Sequence, residues 1–95
     1  MTYELEFKRS ALKEWKKLGA TVQTQFKKKL AEVIKNPHIQ SAKLSGANEL
    51  YKIKLRQAGY RLVYEVNDEI ITVTIISVGK RDKGNVYKVA MRRAD

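Results

Sequence analysis

The side chains of this 95-residue chain that could do chemistry are its lysines, arginines and tyrosines. There is no cysteine, and the five glycines are isolated, so we expect neither thiol chemistry nor a glycine-rich phosphate loop. The acidic residues are scattered and no spacing gathers three metal ligands, so we expect no metal and no cofactor. The single histidine, His38, follows Pro37 in a predicted loop, with nothing to place a serine or aspartate beside it. We interpret it as a solvent-exposed bystander.

Lysine, arginine and tyrosine can together support one reaction class without a metal, the cleavage of RNA through its own 2′-hydroxyl group. The substrate supplies the nucleophile, and the protein orients it, assists its deprotonation and stabilises charge on phosphorus and on the leaving 5′-oxygen. Clustered lysines repel one another, which lowers their pKa and favours a neutral lysine base. Arginine stays charged and suits phosphate, whereas tyrosine can stack on a base.

The charge balance points to a polyanionic partner. Lysine and arginine number 20 against 10 acidic residues, giving a net charge of +10 that is spread evenly over both halves of the chain. Such an excess costs self-repulsion in the folded state, and nucleic acid is its natural partner. The length excludes a dinucleotide-binding fold, a TIM barrel and a kinase, and we expect one domain over residues 1–95.

No membrane or secretory segment is expected. The longest apolar run, Ile70–Val78, is too short to cross a bilayer. Glu4 and Glu6 stand where a secretory signal would have an apolar region. A cytoplasmic location is the resulting expectation.

Periodicity predicts an α+β fold in the order β-α-α-β-β-β-α. The predicted elements are a strand at 3–7, a helix capped by Ser10 and ended by Gly19, a helix capped by Thr21 and stopped by Asn36-Pro37, strands at 51–56, 60–66 and 70–78, and a helix at 85–93. In this architecture an N-terminal strand and a helical hairpin pack on an antiparallel β-meander, for about four strands in all, and a short helix ends the chain.

The register of the first hairpin decides where the charges lie, because a slip of one residue moves every side chain to the opposite face. A two-residue turn at Ala58-Gly59 pairs Arg56 with Arg61, Lys54 with Val63 and Lys52 with Glu65. A three-residue loop would instead leave Arg61 among apolar side chains, so we prefer the first register. This register collects four basic side chains on one sheet face: Lys52, Lys54, Arg56 and Arg61. It also places Thr72 and Thr74 near Arg61.

Like charges side by side on a sheet are destabilising, so such a cluster is expected to match a bound anion. The alternative for Lys52 and Lys54 is an ordinary solvent-facing role that protects a strand edge from aggregation. For the lysines of the first two helices we favour solvated helix faces with non-specific attraction to RNA.

Taken together, these segments resemble the RelE family of toxins, the mRNA interferases of toxin–antitoxin pairs. The resemblance lies in Tyr51–Arg56, Gly59–Tyr64, Val78–Arg81 and Val86-Tyr87, and extends to the first helix, Ala11–Gly19. It covers essentially the whole chain in order and spacing, and it implies a RelE-like microbial ribonuclease-type fold. It also implies an endoribonuclease that cuts the codon in the ribosomal A site and leaves 2′,3′-cyclic phosphate and 5′-hydroxyl ends.

The resemblance implies roles for five residues. Lys54 is the expected general base, supported electrostatically by Lys52, and Arg61 stabilises the phosphorane-like transition state. Arg81 acts near the leaving 5′-oxygen, and Tyr87 stacks on or orients a base of the codon. Several assignments of acid and base fit these same residues. Further expected contacts to RNA or the ribosome are Arg56, Lys80, Lys83, Lys13, Lys16, Lys17, Lys27 and Lys28.

The family also implies its partners. These are a RelB-like antitoxin that wraps the toxin and displaces the terminal helix, the 70S ribosome with its A-site mRNA, and operator DNA reached only through the antitoxin complex. Two departures stand out: Ser45 occupies a position that is often basic, and Glu65 has no histidine to pair with as acid and base. The alternatives are a non-catalytic nucleic-acid-binding module and a gyrase-poisoning toxin on the same fold.

Overall fold

The computed structural model describes residues 2–46, 49–82 and 84–94, and these form three helices and a four-stranded sheet. The elements are β1 Glu4–Phe7, α1 Arg9–Lys16, α2 Ala20–Val33, β2 Leu50–Leu55, β3 Tyr60–Asn67, β4 Thr72–Lys80 and α3 Asn85–Arg93, with a short 3-10 turn at Gln40–Ala42. The predicted element order is confirmed. None of the helices in this described part has the length and apolar composition that a membrane crossing requires.

The strands lie in the order β1-β4-β3-β2. Strands β2, β3 and β4 form the predicted antiparallel meander, and β1 completes the sheet by pairing in parallel with β4. The alternating pattern of residues 3–7 predicts a strand but carries no information on its direction. The two intervening helices let the chain return to the opposite side of the meander from β2.

Both predicted helix caps are wrong. Helix α1 begins two residues earlier, with Lys8 rather than Ser10 at its N-cap, because the Lys8 amide is already bonded to the Ile75 carbonyl at 3.0 Å and the chain turns there. Gly19 does not end α1 but is the N-cap of α2, and Thr21 lies inside that helix. The stop before Pro37 is confirmed, since α2 ends at Val33.

The predicted pairing of the first hairpin is wrong by two residues, although its faces are right. Lys54 pairs with Arg61, and Lys52 pairs with Val63. The chain needs a four-residue turn from Arg56 to Gly59, closed by a 2.8 Å bond from the Gly59 amide to the Leu55 carbonyl. Because the side-chain period is two, a shift of two residues preserves each face. Arg56 therefore leaves the strand and lies exposed in the turn.

The second hairpin also begins later than predicted. Strand β4 starts at Thr72, and Ile70 lies in the turn with 61% of its surface exposed. A bulge between Val63 and Tyr64 shifts the β3–β4 register, so that Arg61 lies opposite Gly79. The expected position of Thr72 and Thr74 near Arg61 is wrong, since they pair with Asn67 and Glu65.

Each sheet face has its own apolar core. Helices α1 and α2 cover one face, where Trp15, Phe26, Leu62 and Tyr64 are buried. Helix α3 covers part of the other face, above Val63 and other buried residues. The predicted basic face therefore has an apolar part that α3 covers and a charged part next to the start of α3.

Candidate nucleic-acid cleavage site

A cavity of about 160 Å³ opens where β2, β3 and the end of β4 meet the start of α3. Its lining includes five of the residues expected to act on RNA: Lys54, Arg61, Lys80, Arg81 and Tyr87. They come from three strands, one loop and one helix, so only the folded chain brings them together. Lys52 lies beside this group, with its ammonium nitrogen 5.9 Å from the centre of the Tyr87 ring.

Lys54 and Arg61 are direct cross-strand partners, which places two cations side by side at the cavity. Arg61 is only 8% exposed, and its guanidinium donates a 3.0 Å hydrogen bond to the Tyr60 carbonyl. Lys52 first, then burial, then Arg56 and Arg61 lower the pKa of Lys54 below that of an ordinary lysine. The arrangement favours either a neutral amine or a bound anion at Lys54.

The segment that follows β4 positions Arg81. Its backbone amide donates a 2.6 Å hydrogen bond to the carbonyl of Gly59, which adopts a positive φ of 74° in the first hairpin turn. That bond ties the end of β4 to the turn between β2 and β3. The Arg81 side chain is exposed at the rim of the cavity, where a guanidinium can reach a phosphate.

Helix α3 presents its N-terminus to the cavity through Gly84, Asn85, Val86 and Tyr87. The partial positive charge of a helix N-terminus favours anions, so it acts in the same direction as the arginines. The helix approaches β4 closely because Gly79 has no side chain. A Cβ atom there would lie 3.2 Å from the Val86 side chain.

Tyr87 carries a buried hydroxyl, and among the described residues no group lies within hydrogen-bonding distance of it. A buried hydroxyl normally has a partner, so this one is left unsatisfied where α3 packs on the sheet. Its ring packs against the smaller core beside Met91 and Ala94. The Tyr87 side chain therefore both packs against the core and lines the cavity.

The other predicted contacts are dispersed. Lys13, Lys16 and Lys17 lie exposed on α1, away from the lining of the cavity. Lys28 and Arg56 line a groove between α2 and β2, whereas Lys27 borders an apolar groove that includes Leu5, Phe7 and Trp15. The prediction for Lys83 lies outside the described residues. Asp82 and Asn85 also line the cavity and were not predicted, although both lie within two residues of Gly84, the N-cap of α3.

The expectation that His38 is a bystander is wrong. Its Nδ1 lies 3.0 Å from the Tyr51 hydroxyl, and its Nε2 lies 2.9 Å from Asp68, which also accepts a 2.7 Å hydrogen bond from Tyr3. Hydrogen bonds from Tyr3 and His38 lower the pKa of Asp68. The network joins the N-terminal segment, the loop after α2 and the β3–β4 turn.

His38, Asp68 and Glu49 also bring potential metal-ligand atoms within 4.8 Å of one another, contrary to the expectation that no three ligands gather. Sequence spacing missed this group because its members come from three separate loops. Both His38 ring nitrogens already have protein partners, and none of the three residues lines the cavity. We interpret the group as a structural one that holds these three loops together.

The comparisons with known proteins agree on one group. The family described as the ParE toxin of the type II toxin–antitoxin system matches residues 5–84. The chain is 56% identical to the mRNA interferase toxin RelE of Escherichia coli K12 over 93 residues, 98% of each chain. It is also 56% identical, with the same coverage, to the mRNA interferase RelE of Shigella flexneri.

Solved structures give the same result for the fold. A mutant of the E. coli toxin RelE in the free state superposes with a TM-score of 0.91, at 55% identity over 98% of both chains. The intact E. coli RelBE toxin–antitoxin complex contains a chain that superposes with a TM-score of 0.82, at 57% identity over 85% of this chain and 99% of that one. The predicted RelE-like fold is confirmed.

Proposed function

Since the chain belongs to the RelE family of toxins from type II toxin–antitoxin systems, we propose that it cleaves mRNA in the ribosomal A site and so stops translation. It is an mRNA interferase, and therefore an endoribonuclease. One observation gives the strongest support to the proposal that this chain cleaves mRNA in the ribosomal A site. The cavity collects Lys54, Arg61, Arg81 and Tyr87 in a chain 56% identical to a protein of that activity. A non-catalytic binder and a gyrase poison lack comparable support.

The proposed reaction is an intramolecular transesterification of the RNA. The 2′-oxygen of one nucleotide attacks the adjacent phosphorus, and the bond from phosphorus to the 5′-oxygen breaks. The products are a 2′,3′-cyclic phosphate and a 5′-hydroxyl end. One proton leaves the 2′-hydroxyl and one reaches the 5′-oxygen, so the protein needs a base, a source of positive charge and a group near the leaving oxygen.

Lys54 is the proposed general base. Only a neutral amine can accept the proton, and the lowered pKa of Lys54 increases the neutral fraction at physiological pH. Lys52 contributes most to that lowering, so its proposed role is to tune Lys54 rather than to touch the proton. Both lysines are partly exposed, which leaves the RNA a path to them.

The arginines are the proposed electrostatic groups. Arg61, nearly buried and held by the Tyr60 carbonyl, is preorganised to stabilise the extra negative charge on phosphorus. Arg81, exposed at the rim on a tethered segment, is proposed to act on the leaving 5′-oxygen. Tyr87 is proposed to stack on or orient a base. A cation–π contact with Lys52 stabilises the Tyr87 ring in its position.

The partners follow from the family. Structures described as E. coli RelE with its antitoxin show such a toxin bound to RelB, and we propose a RelB-like antitoxin for this chain. Its acidic groups would complement the net charge of +10. The 70S ribosome is the proposed site of action, which places the protein in the cytoplasm. Contact with operator DNA is proposed only through the antitoxin complex.

Substitution of the rim residues tests this assignment. We expect Arg81→Ala and Tyr87→Ala each to lower single-turnover cleavage on ribosomes by about a hundredfold, since the first removes positive charge near the leaving oxygen and the second removes the side chain that orients the base. Thermal unfolding and antitoxin binding should remain close to those of the unsubstituted protein. Cleavage at the unsubstituted rate by both variants would refute the proposed site.

A further inference from the structure

The group around His38 lies at the end of the sheet away from the cleavage cavity, since Asp68 follows β3 and Arg61 lies near the beginning of that strand. One ring nitrogen of His38, one oxygen of Glu49 and one oxygen of Asp68 all lie within 4.8 Å of one another. A tetrahedral zinc ion holds its ligand atoms about 3.4 Å apart. Small rotations of the two acidic side chains therefore bring the three ligand atoms into range of one ion.

The two carboxylates of this group lack compensating charge. Among the described residues, the one basic side chain within ion-pair distance of either carboxylate is His38, at 2.9 Å from Asp68 and 3.6 Å from Glu49. Burial first, and then the charges of Glu49 and Asp68, raise the pKa of the neighbouring Tyr51. In a protein with a net charge of +10, this locally negative surface attracts a cation.

The negative surface continues beyond the group. A concavity of about 380 Å³ shares Glu49 and Asp68 with it. All the charged residues described in the lining of this concavity are acidic, namely Glu49, Glu65, Asp68 and Glu69. The concavity therefore adds to the attraction for a cation without supplying a competing positive charge.

Glu49 gives an independent indication that the group binds a ligand. Its Oε2 atom is buried, and among the described residues no group lies within hydrogen-bonding distance of it. The same atom faces the His38 ring from 3.6 Å. A buried carboxylate oxygen without a partner is unfavourable, because it has lost its contact with water and gained no bond in return. A cation held between Glu49, Asp68 and His38 supplies the missing partner.

The ligand atoms select the class of cation. Imidazole suits zinc and the neighbouring transition metals, whereas calcium and magnesium take sets of oxygen ligands. One nitrogen and two carboxylate oxygens leave one position of a tetrahedral zinc ion for water. Both ring nitrogens of His38 have hydrogen-bond partners, so the nitrogen that does not bind the ion keeps the support that orients a ligating histidine. Half-buried Glu49 and exposed Asp68 leave the ion a path from solvent.

We propose that His38, Glu49 and Asp68 bind one Zn²⁺ ion, which ties the loop after α2 and the β3–β4 turn to the start of β2. In the metal-free protein the hydrogen bonds of His38 hold the first two of these segments together. The ion adds the side chain of Glu49. The site goes beyond the proposed cleavage activity, since none of its three residues lines the cleavage cavity.

Titration of the untagged 95-residue chain with zinc chloride tests the site, and the sequence makes the test specific. His38 is the only histidine, and there is no cysteine. By calorimetry we expect one Zn²⁺ per chain, with no competition from Mg²⁺ or Ca²⁺. The midpoint of thermal unfolding should rise by about 10 °C when zinc is at about a hundredfold excess over its dissociation constant. Equal binding of Mg²⁺ would overturn the proposal in favour of general attraction by the acidic concavity.

The ring protons of His38 report binding in the unsubstituted protein, without any variant. Their NMR signals should change as Zn²⁺ is added, up to one equivalent, and then stay constant. Ring signals that are unchanged by Zn²⁺ would overturn the proposal, because His38 is its one nitrogen ligand. This measurement also decides the matter where a substituted protein fails to fold.

Substitutions separate ligation from general attraction. His38→Gln and Glu49→Gln should each weaken zinc binding by about a hundredfold, since loss of even a supporting hydrogen bond costs about 10–100-fold in metal affinity. The matched control is Glu69→Gln, which removes the same charge from the same concavity but outside the ligand group. It should bind zinc as tightly as the unsubstituted protein. Equal losses in Glu49→Gln and Glu69→Gln would contradict ligation by Glu49.

Discussion

At the scale of single residues, the account depends on the protonation of Lys54. Its neighbours Lys52, Arg56 and Arg61 all disfavour its charged form. The proposed base must be neutral to accept a proton, so we expect cleavage to rise with pH up to the pKa of Lys54. Lowering that pKa extends the active range toward neutral pH. In the proposed mechanism, the positive charge around Lys54 therefore serves catalysis as well as phosphate binding.

Replacement of Lys52 tests this electrostatic role. Lys52→Gln removes the largest cause of the lowered Lys54 pKa, so the pKa should rise and the ascending limb of the pH–rate profile should move to higher pH. Single-turnover cleavage on ribosomes across pH measures the shift, and Lys52→Arg, which keeps the charge, should retain the original profile. An ascending limb that stays in place in Lys52→Gln would show that Lys52 does not tune the base.

The sequence predicts which basic residues share a sheet face more reliably than how they pair. Alternation in β2 places Lys52 and Lys54 on one face, and that face is correct because it depends only on the period of two. The partner of Lys54 depends on the turn, whose length Ala58-Gly59 does not determine. The network around His38 was missed because Tyr3, Tyr51 and Asp68 are brought together only by tertiary structure.

At the scale of elements, the proposed role of Tyr87 requires that α3 is held in place. Glu14 of α1 accepts two hydrogen bonds from Arg93 near the end of α3, at 2.9 and 3.1 Å. The same carboxylate accepts the Val78 amide at 3.1 Å, beyond the point where β1 has ended. Arg93 also donates to the Ile76 carbonyl, and Lys8 donates to the Arg93 carbonyl.

Loss of this ion pair should reduce cleavage without weakening binding to the ribosome. Glu14→Gln removes the charge from a hydrogen bond worth about 1.5 kcal/mol, so we expect roughly tenfold slower single-turnover cleavage at saturating ribosomes. The ribosome concentration for half-maximal rate should change little. Arg93→Gln should give the same loss, and the double variant no further loss, because both break one interaction. Additive losses would contradict a shared role in holding α3.

The sequence could not reveal this interaction. On the helical pattern of α1, Glu14 falls on the polar face with Lys13 and Lys16, and it reads as solvated. Its partner is 79 residues away along the chain. The bounds of α3 itself are correct as predicted, because they follow from a local pattern after a glycine.

At the scale of the whole molecule, the excess charge is divided between separate surfaces. Composition predicts a polyanionic partner, and the fold then places cations at the cleavage cavity and along the groove between α2 and β2 while leaving others dispersed on α1. Composition alone could not predict how the cations are distributed among these surfaces. It depends on which face α3 covers, and on β1 joining β4 at the edge of the sheet opposite β2.

The most direct test of the account compares one message in two states. Purified ribosomes with a filled P site and an empty A site are incubated with the protein beside the same mRNA free in solution, and the product ends are mapped. The account predicts cuts inside the A-site codon, with 2′,3′-cyclic phosphate and 5′-hydroxyl ends, and little cleavage of the free message. Folded protein that cuts neither sample, or that cuts free mRNA equally well, would contradict it.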